Sequence, residues 1–349
     1  MDVKQVLSRY ENRPGLQYQV MGAQGVLSSQ AVGLRDVVGR LPMTESTAQM
    51  AYSMSKVITA IVALRLADRG VLDLERPLVS YLTDLEYPET LKLRHLISQT
   101  SGLPNPLPFS WTHLPTEEQG FDHRTALREV LEQHTGLGFE PGSQYSYSNL
   151  SYWLLEAVIE DVTGRPFEQV VAQEVTVVLG LGTEDLGYQF PDQGEMAKGY
   201  LYKYSWINLL KGLILPKAYY GGYEGRWFWV KPHQLNSKGM GGVITSAQGL
   251  GVVLTDLLQP DSKLLSPRAK GWLFEVQQDP QGNPLPMTLG WHVRFEAEQV
   301  AFFYKEGGGA GFHGEMRLYP DEGIASVVLS NETGFDVKKF LNRCDPVYF

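Results

Sequence analysis

The two ends of the chain carry a different hydrophobic pattern from its middle. Residues 15–46 alternate short apolar segments with glycines, which is typical of antiparallel strands joined by tight turns. Strand-like segments return towards the C-terminus, where strands are predicted over residues 289–296, 300–304, 311–319 and 324–330. With helices between these two regions, the pattern predicts an α+β fold whose antiparallel sheet is built from both chain ends and is flanked by helices.

Apolar residues recur at a helical period directly after Ser53. They predict a long, buried helix with Ser53 in its first turn and with Gly70 just after its last residue, where glycine commonly ends a helix. Four further helices are predicted over residues 94–99, 125–134, 152–162 and 246–258. Because most of these helices fall between the two strand regions, we expect an inserted helical subdomain there.

The predicted elements divide the chain into three regions. Residues 1–75 and 235–349 form a discontinuous sheet body, residues 76–185 form the helical subdomain, and residues 186–234 form an aromatic-rich insertion near the functional site. Ten aromatic residues fall between positions 200 and 230, and aromatic side chains at this density cover an apolar surface. Three interpretations stay open for them: packing on the helical subdomain, a hydrophobic wall for a substrate, and contact with a lipid surface.

Composition narrows the possible partners. The chain of 349 residues has a formal net charge of −9, which repels nucleic-acid phosphates, so no nucleic-acid partner is expected. No segment reaches the roughly 18 apolar residues of a membrane-spanning helix, and the N-terminus does not resemble a secretory signal. Cys344 is the only cysteine, which excludes an intramolecular disulfide. We therefore expect a cytoplasmic protein, whose oligomeric state the sequence does not indicate.

One short motif carries the chemistry of a nucleophile. Residues 53–56 (Ser-Met-Ser-Lys) are the only Ser-x-x-Lys in the chain. Since residues three apart share a helix face, the Lys56 amine is expected within hydrogen-bonding distance of the Ser53 hydroxyl. A lysine accepts a serine proton only if its pKa is lowered by burial or by neighbouring positive charge. The apolar helix supplies the burial, and Lys305 is a candidate for the charge.

Two further polar elements follow in the chain. Tyr147 and Asn149 form a Tyr-x-Asn motif directly before a predicted helix, and residues 305–308 (Lys-Glu-Gly-Gly) lie between predicted strands. A phenol, with an ordinary pKa near 10, becomes a usable base when two ammonium groups flank it. We therefore expect the pKa of Tyr147 to be lowered by Lys56 and Lys305.

Other motifs of catalytic sites are missing from the sequence. No Gly-x-Ser-x-Gly, His-Glu-x-x-His or P-loop motif occurs, and the seven histidines are scattered. His95 is predicted to be a core or capping residue, while His313 either lines the cleft or is structural. Because no constellation of metal ligands stands out, we expect neither a metal ion nor a cofactor.

Together these motifs resemble the serine β-lactamase and penicillin-binding hydrolase family, particularly the branch of class C β-lactamases, D-amino peptidases and family VIII carboxylesterases. Similar segments occur in family order at residues 51–57, 93–103, 141–149, 239–246 and 307–312. The resemblance implies a β-lactamase/transpeptidase-like fold, an acyl-enzyme on Ser53, and proton exchange by Lys56 and Tyr147. It also implies that Asn149 positions the acyl side of the substrate, and that the backbone N–H groups of Ser53 and Gly308 form the oxyanion hole. It leaves open whether Lys56 or Tyr147 is the general base.

The third motif departs from the family pattern. The family often carries a threonine between the basic residue and the glycine, whereas this chain has Glu306 between Lys305 and Gly307. A hydroxyl at this position helps to bind the carboxylate of penicillin-type substrates, and a glutamate that faces the cleft repels it. We therefore expect a serine hydrolase that acts as a carboxylesterase on small or apolar esters. The alternatives are a class C-like β-lactamase or D-amino-acid peptidase, which cleave amides, and a catalytically silent fold that only binds a ligand.

Overall fold

The computed structural model describes residues 3–106, 111–191 and 195–349. Within these residues the helices are α1 (Val3–Leu7), α2 (Ser55–Asp68), α3 (Leu93–Ile97), α4 (His123–Glu132), α5 (Asn149–Thr163), α6 (Phe167–Val171), α7 (Val177–Leu179), α8 (Trp206–Ile214), α9 (Lys238–Gly241), α10 (Ala247–Leu258), α11 (Pro267–Phe274) and α12 (Val337–Cys344). The strands are β1 (Leu16–Gly22), β2 (Gly25–Val32), β3 (Leu34–Asp36), β4 (Leu41–Pro42), β5 (Gln49–Met50), β6 (Thr112–His113), β7 (Leu186–Gly187), β8 (Gly199–Tyr202), β9 (Tyr220–Glu224), β10 (Trp227–Val230), β11 (Gln234–Leu235), β12 (Ile244–Thr245), β13 (His292–Glu296), β14 (Gln299–Gly308), β15 (His313–Tyr319) and β16 (Ile324–Ser330).

A six-stranded antiparallel sheet joins the two ends of the chain in the order β13-β14-β15-β16-β1-β2. Strand β1 lies between β16 and β2, and its register pairs Leu16 with Ser330 and Gly22 with Ile324. This topology confirms the predicted α+β fold, because the N-terminal strands complete a sheet that the C-terminal strands begin.

Helices cover both faces of this sheet, which explains why every residue of β1 is buried. On one face Leu16, Tyr18 and Val20 pack in an apolar cluster with side chains of α1 and α12. Met21 belongs instead to the main core, together with side chains of α2 and α10. Since successive side chains along a strand point to opposite faces, this single strand contributes to two separate apolar clusters.

Helix α2 lies at the centre of the main core. Its residues from Ser55 to Leu64 are all buried, and a helix that is apolar on all sides must be packed on all sides. It contacts α5, α9 and α11, and it ends before Gly70, which adopts a φ of +74° that glycine tolerates. The regular helix begins later than predicted, because residues Tyr52–Met54 form a 3₁₀ turn that holds Ser53.

Most predicted elements are present with shifted ends. The four shorter predicted helices correspond to α3, α4, α5 and α10. Strand β14 continues past residue 304 to Gly308 because its pairing with β15 continues to the Gly308–His313 pair. Strand β13 begins at His292 and not at residue 289, since Gly290 adopts a φ of +125° in a turn closed by a hydrogen bond from Thr288 N to Trp291 O.

Residues 199–230 form a small sheet and a helix that the sequence pattern did not predict. Strands β8, β10 and β9 pair in that order, and α8 lies between β8 and β9 along the chain. The aromatic insertion therefore has regular structure of its own, while the limits of the three predicted regions stay a prediction. None of the helices in the described ranges is long and apolar enough to cross a membrane.

Candidate active site

The turn before α2 holds Tyr52, the residue next to Ser53, in a strained backbone conformation. Tyr52 has a φ of +44°, which is uncommon for a bulky residue and is found most often where function requires it. Its buried hydroxyl group donates to Ala310 O at 2.9 Å and lies 3.2 Å from His233 Nε2. These contacts anchor the turn, and with it the Ser53 hydroxyl group.

Strand β14 passes directly beside this turn. A Cβ atom at Gly307 would clash with Ala51 O and would lie 3.0 Å from Ser53 N, so only glycine allows the two backbones to approach so closely. Gly308, the next residue, lines the same cavity as Ser53. The two residues whose N–H groups were predicted to form an oxyanion hole therefore lie at one cavity.

Two of the predicted side chains, Lys56 and Tyr147, meet at Ser53. The Ser53 Oγ atom lies 2.6 Å from the Tyr147 hydroxyl group and 3.3 Å from Lys56 Nζ. Lys56 Nζ also donates to Asn149 Oδ1 at 2.8 Å and to Met240 O at 2.6 Å. The Tyr147 hydroxyl group lies 3.3 Å from the same Asn149 oxygen. A hydroxyl, an amine and a phenol are thus joined in one hydrogen-bonded cluster.

Burial controls the protonation of Lys56. The side chain is fully buried, and burial together with the neighbouring charge of Lys305 holds the pKa of Lys56 well below its ordinary value. The predicted direction of this shift and the predicted role of Lys305 are therefore confirmed. A neutral Lys56 amine has a lone pair that can accept the Ser53 proton.

The predicted shift of Tyr147 is wrong. Burial raises the pKa of Tyr147 well above its ordinary value, and the hydrogen bond from Ser53 opposes this only in part. The sequence argument counted two flanking ammonium groups, but burial of the phenol itself is the largest influence on its pKa and disfavours the phenolate. Tyr147 is therefore a neutral phenol at neutral pH.

Gln99 positions Tyr147, a role that the sequence did not reveal. Gln99 is fully buried and adopts a φ of +60°. Its amide pairs with both backbone groups of Ser148, donating to Ser148 O at 3.1 Å and accepting from Ser148 N. Its backbone oxygen accepts from Ser146 N at 3.0 Å. The residues on both sides of Tyr147 are therefore held by one side chain and its backbone.

A histidine on the sheet also contacts Tyr147. The ring of His292 stacks on the Tyr147 ring with centroids 6.4 Å apart, and its Nε2 lies 3.0 Å from the Tyr145 hydroxyl group. Burial and the charges of Lys305 and Lys56 lower the pKa of His292 to about 2, so this ring is neutral. Sequence reasoning missed His292 because it belongs to no motif.

Lys305 also lies over the Tyr147 ring. Its Nζ atom is 5.6 Å from the ring centroid and has no hydrogen-bond partner among the described residues. Burial lowers the pKa of Lys305 to about 7. Lys305 therefore influences the cluster through its charge, which lowers the pKa values of Lys56 and His292.

Glu306 is held in an ion-pair cluster. Its carboxylate lies 2.9 Å from His313 Nε2 and 2.9 Å from Lys338 Nζ. The hydrogen bond from His313 and the nearby Lys338 lower the pKa of Glu306 to about 2, so the group is anionic. His313 lines the cavity and its Nδ1 lies 2.6 Å from Phe335 O, so this histidine is both structural and part of the cavity wall.

The cluster opens into a cavity of about 470 Å³. One side is formed by Ser53, Asn149 and Met240, and the other side comes largely from the aromatic insertion. The remaining lining residues are mostly apolar and include Leu201, Ile207, Leu215, Pro216, Tyr219, Leu235 and Ala310. An apolar cavity with a few convergent polar groups is the usual form of a small-molecule site.

One further prediction, and one observation, concern residues outside the cluster. His95 caps α3, since its Nδ1 accepts a hydrogen bond from Lys92 N at 3.2 Å, which confirms the capping role. Ser55 is turned away from Lys56, and its hydroxyl group donates to Tyr52 O at 2.6 Å. Within the described ranges, no three His, Cys, Asp or Glu side chains lie close enough to share a metal ion.

Comparison with known proteins identifies the family. The Beta-lactamase family model matches residues 3–343. Penicillin-binding protein 4* of Bacillus subtilis is 23% identical over 323 residues, which cover 90% of this chain and 67% of that protein. The match confirms the resemblance that the motifs indicated.

Solved structures share the fold at low sequence identity. EstCE1, described as a hydrolase with promiscuous acyltransferase activity, superimposes with a TM-score of 0.76 and 22% identity, covering 99% of this chain and 97% of its own. A D-amino acid amidase from Ochrobactrum anthropi SV3, solved with L-phenylalanine amide, gives a TM-score of 0.76 and 17% identity, covering 99% and 96%. With its β-lactamase/transpeptidase-like fold and a family match over nearly its whole length, the chain belongs to the Beta-lactamase family of serine hydrolases.

Proposed function

We propose that this protein is a carboxylesterase that cleaves apolar esters through an acyl-enzyme on Ser53. The observation that carries the proposal is the contact of the Ser53 hydroxyl group with both Lys56 and Tyr147 at the end of an apolar cavity. A serine hydroxyl becomes a nucleophile when a positioned base takes its proton. The cluster supplies a base, a second proton carrier and a cavity for the acyl group.

Lys56 is the general base for acylation. A neutral amine has two N–H groups, which Asn149 Oδ1 and Met240 O accept, and this leaves the lone pair for the hydroxyl proton of Ser53. Tyr147 is protonated, because burial raises its pKa, so it can donate its proton to the departing alkoxide. Acylation therefore leaves an acyl-Ser53, a Lys56 ammonium group, a Tyr147 phenolate and a free alcohol.

Deacylation reverses these proton transfers. The Tyr147 phenolate takes a proton from water, and the hydroxide attacks the acyl carbonyl group. When the tetrahedral intermediate collapses, Ser53 recovers its proton from the Lys56 ammonium group, and the carboxylic acid leaves. The phenolate is stabilised in the interval because Lys56 Nζ lies 5.0 Å from the centre of the Tyr147 ring.

The backbone N–H groups of Ser53 and Gly308 bind the oxyanion of both tetrahedral intermediates. The close approach of strand β14 at Gly307 sets the distance between the two residues. Fixed donors of this kind need no reorganisation during the reaction, and the loss of one donor removes about 3 kcal/mol of transition-state stabilisation in other enzymes.

The preference for neutral esters rests on the charges around the cavity. Glu306 is anionic and is already paired with His313 and Lys338, and Lys305 is buried with a pKa lowered to about 7. Neither residue therefore presents an accessible positive charge to the carboxylate of a penicillin-type substrate, and the one lysine among the described residues that line the cavity, Lys211, lies in the aromatic insertion. The apolar residues opposite Ser53 suit an uncharged acyl chain.

Intact-protein mass spectrometry with substrate assays tests this proposal. We expect a fluorophosphonate adduct on Ser53, turnover of p-nitrophenyl esters, and no turnover of nitrocefin or D-phenylalanine amide. Ser53→Ala is the control and is expected to show neither adduct nor turnover. Amide or nitrocefin turnover above ester turnover would favour the amidase or β-lactamase alternative, and the absence of any adduct would favour the silent binding fold.

A further inference from the structure

Helix α8 carries large apolar side chains on its solvent side. Trp206 is 77% exposed, Leu209 is 70% exposed and Leu213 is 80% exposed. Together with three exposed neighbours they form a surface that we call the α8 patch: Tyr204, Trp206, Leu209, Leu210, Leu213 and Tyr223. Single exposed apolar residues are ordinary in proteins, but a group of this kind on one short helix marks an interaction surface.

The opposite side of α8 faces the candidate active site. Ile207 and Lys211 line the cavity, and so does Leu215 directly after the helix. A surface helix of a globular protein is normally apolar towards the core and polar towards water. Helix α8 instead has apolar residues on both sides, which fits a helix that lies between the cavity and a second apolar environment.

The charge around α8 differs from that of the rest of the protein. Residues 198–231 contain six lysine or arginine residues and one glutamate, whereas the whole chain has a net charge of −9. Lys203 precedes α8 in the chain and Lys217 follows it, and both side chains are exposed. A basic, aromatic and leucine-rich surface on an acidic protein is complementary to an anionic lipid headgroup layer.

We propose that the α8 patch docks on an anionic lipid bilayer, with α8 lying in the plane of the headgroups. Nine residues extend only about 14 Å as a helix, so α8 reaches the interface without spanning the bilayer. Trp206, Tyr204 and Tyr223 have the amphipathic rings that prefer the interfacial layer, and the lysines contact the lipid phosphates. The mouth of the cavity is then beside the lipid surface.

A bilayer fits the patch better than a protein partner does. The exposed side chains stand on the convex surface of a helix, which fits a deformable apolar layer, and the lysines beside them bind phosphate of any lipid without a defined geometry. An acidic second copy of the chain is the competing partner. The test must therefore separate lipid binding from self-association.

Vesicle co-sedimentation tests the proposal without using catalysis. The protein is expected to pellet with phosphatidylcholine vesicles that contain phosphatidylglycerol, and to pellet less at high salt. The double variant Leu209→Ser with Leu213→Ser is expected to bind at least about tenfold more weakly. Lys203→Gln with Lys217→Gln is expected to lose about 30-fold on the anionic vesicles and little on pure phosphatidylcholine.

A matched control removes two exposed valines elsewhere. Val38 is 66% exposed and Val177 is 71% exposed, and Val38→Ser with Val177→Ser should bind vesicles like the unchanged protein. Ser53→Ala should also bind normally, so a failure of the proposed hydrolase chemistry leaves this test intact. The proposal is overturned if the protein does not pellet with the vesicles. It is also overturned if the leucine variant pellets as much as the unchanged protein does. A dimer in light scattering that the leucine variant disperses, without vesicle binding, assigns the patch to self-association instead.

Quenching by brominated lipids shows whether Trp206 enters the interface. Of the seven tryptophans, Trp206 is the one on the solvent side of α8. We expect bromolipid vesicles to quench part of the tryptophan fluorescence of the unchanged protein. In Trp206→Phe this quenching should be absent. Quenching that is the same in Trp206→Phe contradicts insertion of the α8 patch.

Discussion

The two sides of the cavity are built in different ways. The inner wall, formed by the turn before α2 and by α5 and α9, presents Ser53, Asn149 and Met240, and its polar groups are at least half-buried and hydrogen-bonded. The outer wall, formed by α8 and the small sheet β8–β10, presents apolar side chains and is partly exposed. One wall has polar groups enclosed by apolar packing, and the other has apolar groups open to water.

In the proposed mechanism, this difference places the reaction on the inner wall and the recognition of the acyl group on the outer wall. Groups that move protons must be held in place and removed from water, because fixed, desolvated dipoles stabilise charge most strongly. An acyl chain needs only apolar contact, which many arrangements of side chains supply. We therefore expect substitutions of the inner wall to change rates and stability, and substitutions of the outer wall to change substrate preference.

The largest effect is expected from Lys56→Met. The variant removes the proposed base but keeps an unbranched, buried side chain, so kcat for a p-nitrophenyl ester should fall by about 10,000-fold. The rate of fluorophosphonate labelling of Ser53 should fall in parallel, since it needs the same deprotonation. Lys203→Met, at an exposed position in the turn between β8 and α8, is the control and should label normally. Labelling of Lys56→Met at an unchanged rate contradicts the role of Lys56 as the base.

The next effect concerns the pH dependence of stability. The folded-state pKa of Lys305 is lowered to about 7, while an unfolded lysine titrates near 10.4. Between these values the unfolded chain binds a proton that the folded chain lacks, so the free energy of unfolding rises with pH, by up to about 1.4 kcal/mol per pH unit.

Lys305→Met should remove this contribution. Urea unfolding from pH 7 to pH 10 is expected to show a flatter profile for the variant, with a higher stability than the unchanged protein at pH 7, because no ammonium group is buried. Lys203→Met should keep the slope, since Lys203 is exposed. Parallel profiles for Lys305→Met and the unchanged protein would mean that Lys305 is hydrated in the folded state.

Tyr147→Phe distinguishes the two proton carriers. If Lys56 is the base, the variant still activates Ser53 but loses both proton donation to the leaving group and the phenolate that deprotonates water, so kcat should fall by about 100-fold. In the rate of acylation alone, esters with a good leaving group, such as p-nitrophenolate, should be affected less than alkyl esters. A loss as large as that of Lys56→Met for both kinds of ester would make Tyr147 the base.

Glu156→Ala should weaken the inner wall without touching the substrate. The buried Glu156 carboxylate accepts from Gly239 N at 2.9 Å and from Ser237 Oγ, and so anchors α9, whose Met240 O accepts from Lys56. Loss of these bonds should lower the free energy of unfolding by about 2 kcal/mol. Glu168→Ala removes only a partly exposed ion-pair partner of Lys238. This variant should lower the free energy of unfolding by less than about 0.5 kcal/mol. Equal midpoints of urea unfolding for the two variants would contradict the anchoring role.

The sequence predicted the inner wall better than the outer wall. Ser53 and Lys56 could be paired because their spacing on a helix fixes their distance, and Tyr147 was found through a motif that the family shares. Gln99 and Met240 could not be predicted, because Gln99 acts through an unusual backbone conformation and Met240 through its carbonyl oxygen. Backbone roles of this kind leave no mark on the residue type.

The sign of the Tyr147 shift was wrong for a related reason. Counting charges along the sequence gives the electrostatic contribution of the lysines but not the extent of burial, which depends on the packing of α2, α5 and the sheet. The outer wall was not predicted as regular structure because its strands are short and rich in glycine and aromatic residues, without clear alternation. There the fold depends on cross-strand contacts that no local pattern contains.

The smallest effect, from Ile207→Ala, tests the outer wall directly. Ile207 lines the cavity and is 38% exposed, so its truncation removes acyl contact with little loss of core packing. We expect kcat/KM for octanoyl esters to fall by about fivefold, somewhat less than the loss of a fully enclosed contact, and the value for acetyl esters to stay unchanged. Leu213→Ala changes the same helix on its solvent side, so without lipid it should leave both values unchanged. An equal loss for acetyl and octanoyl esters would mean that Ile207 supports the reaction centre, and the two walls would then not divide reaction from recognition.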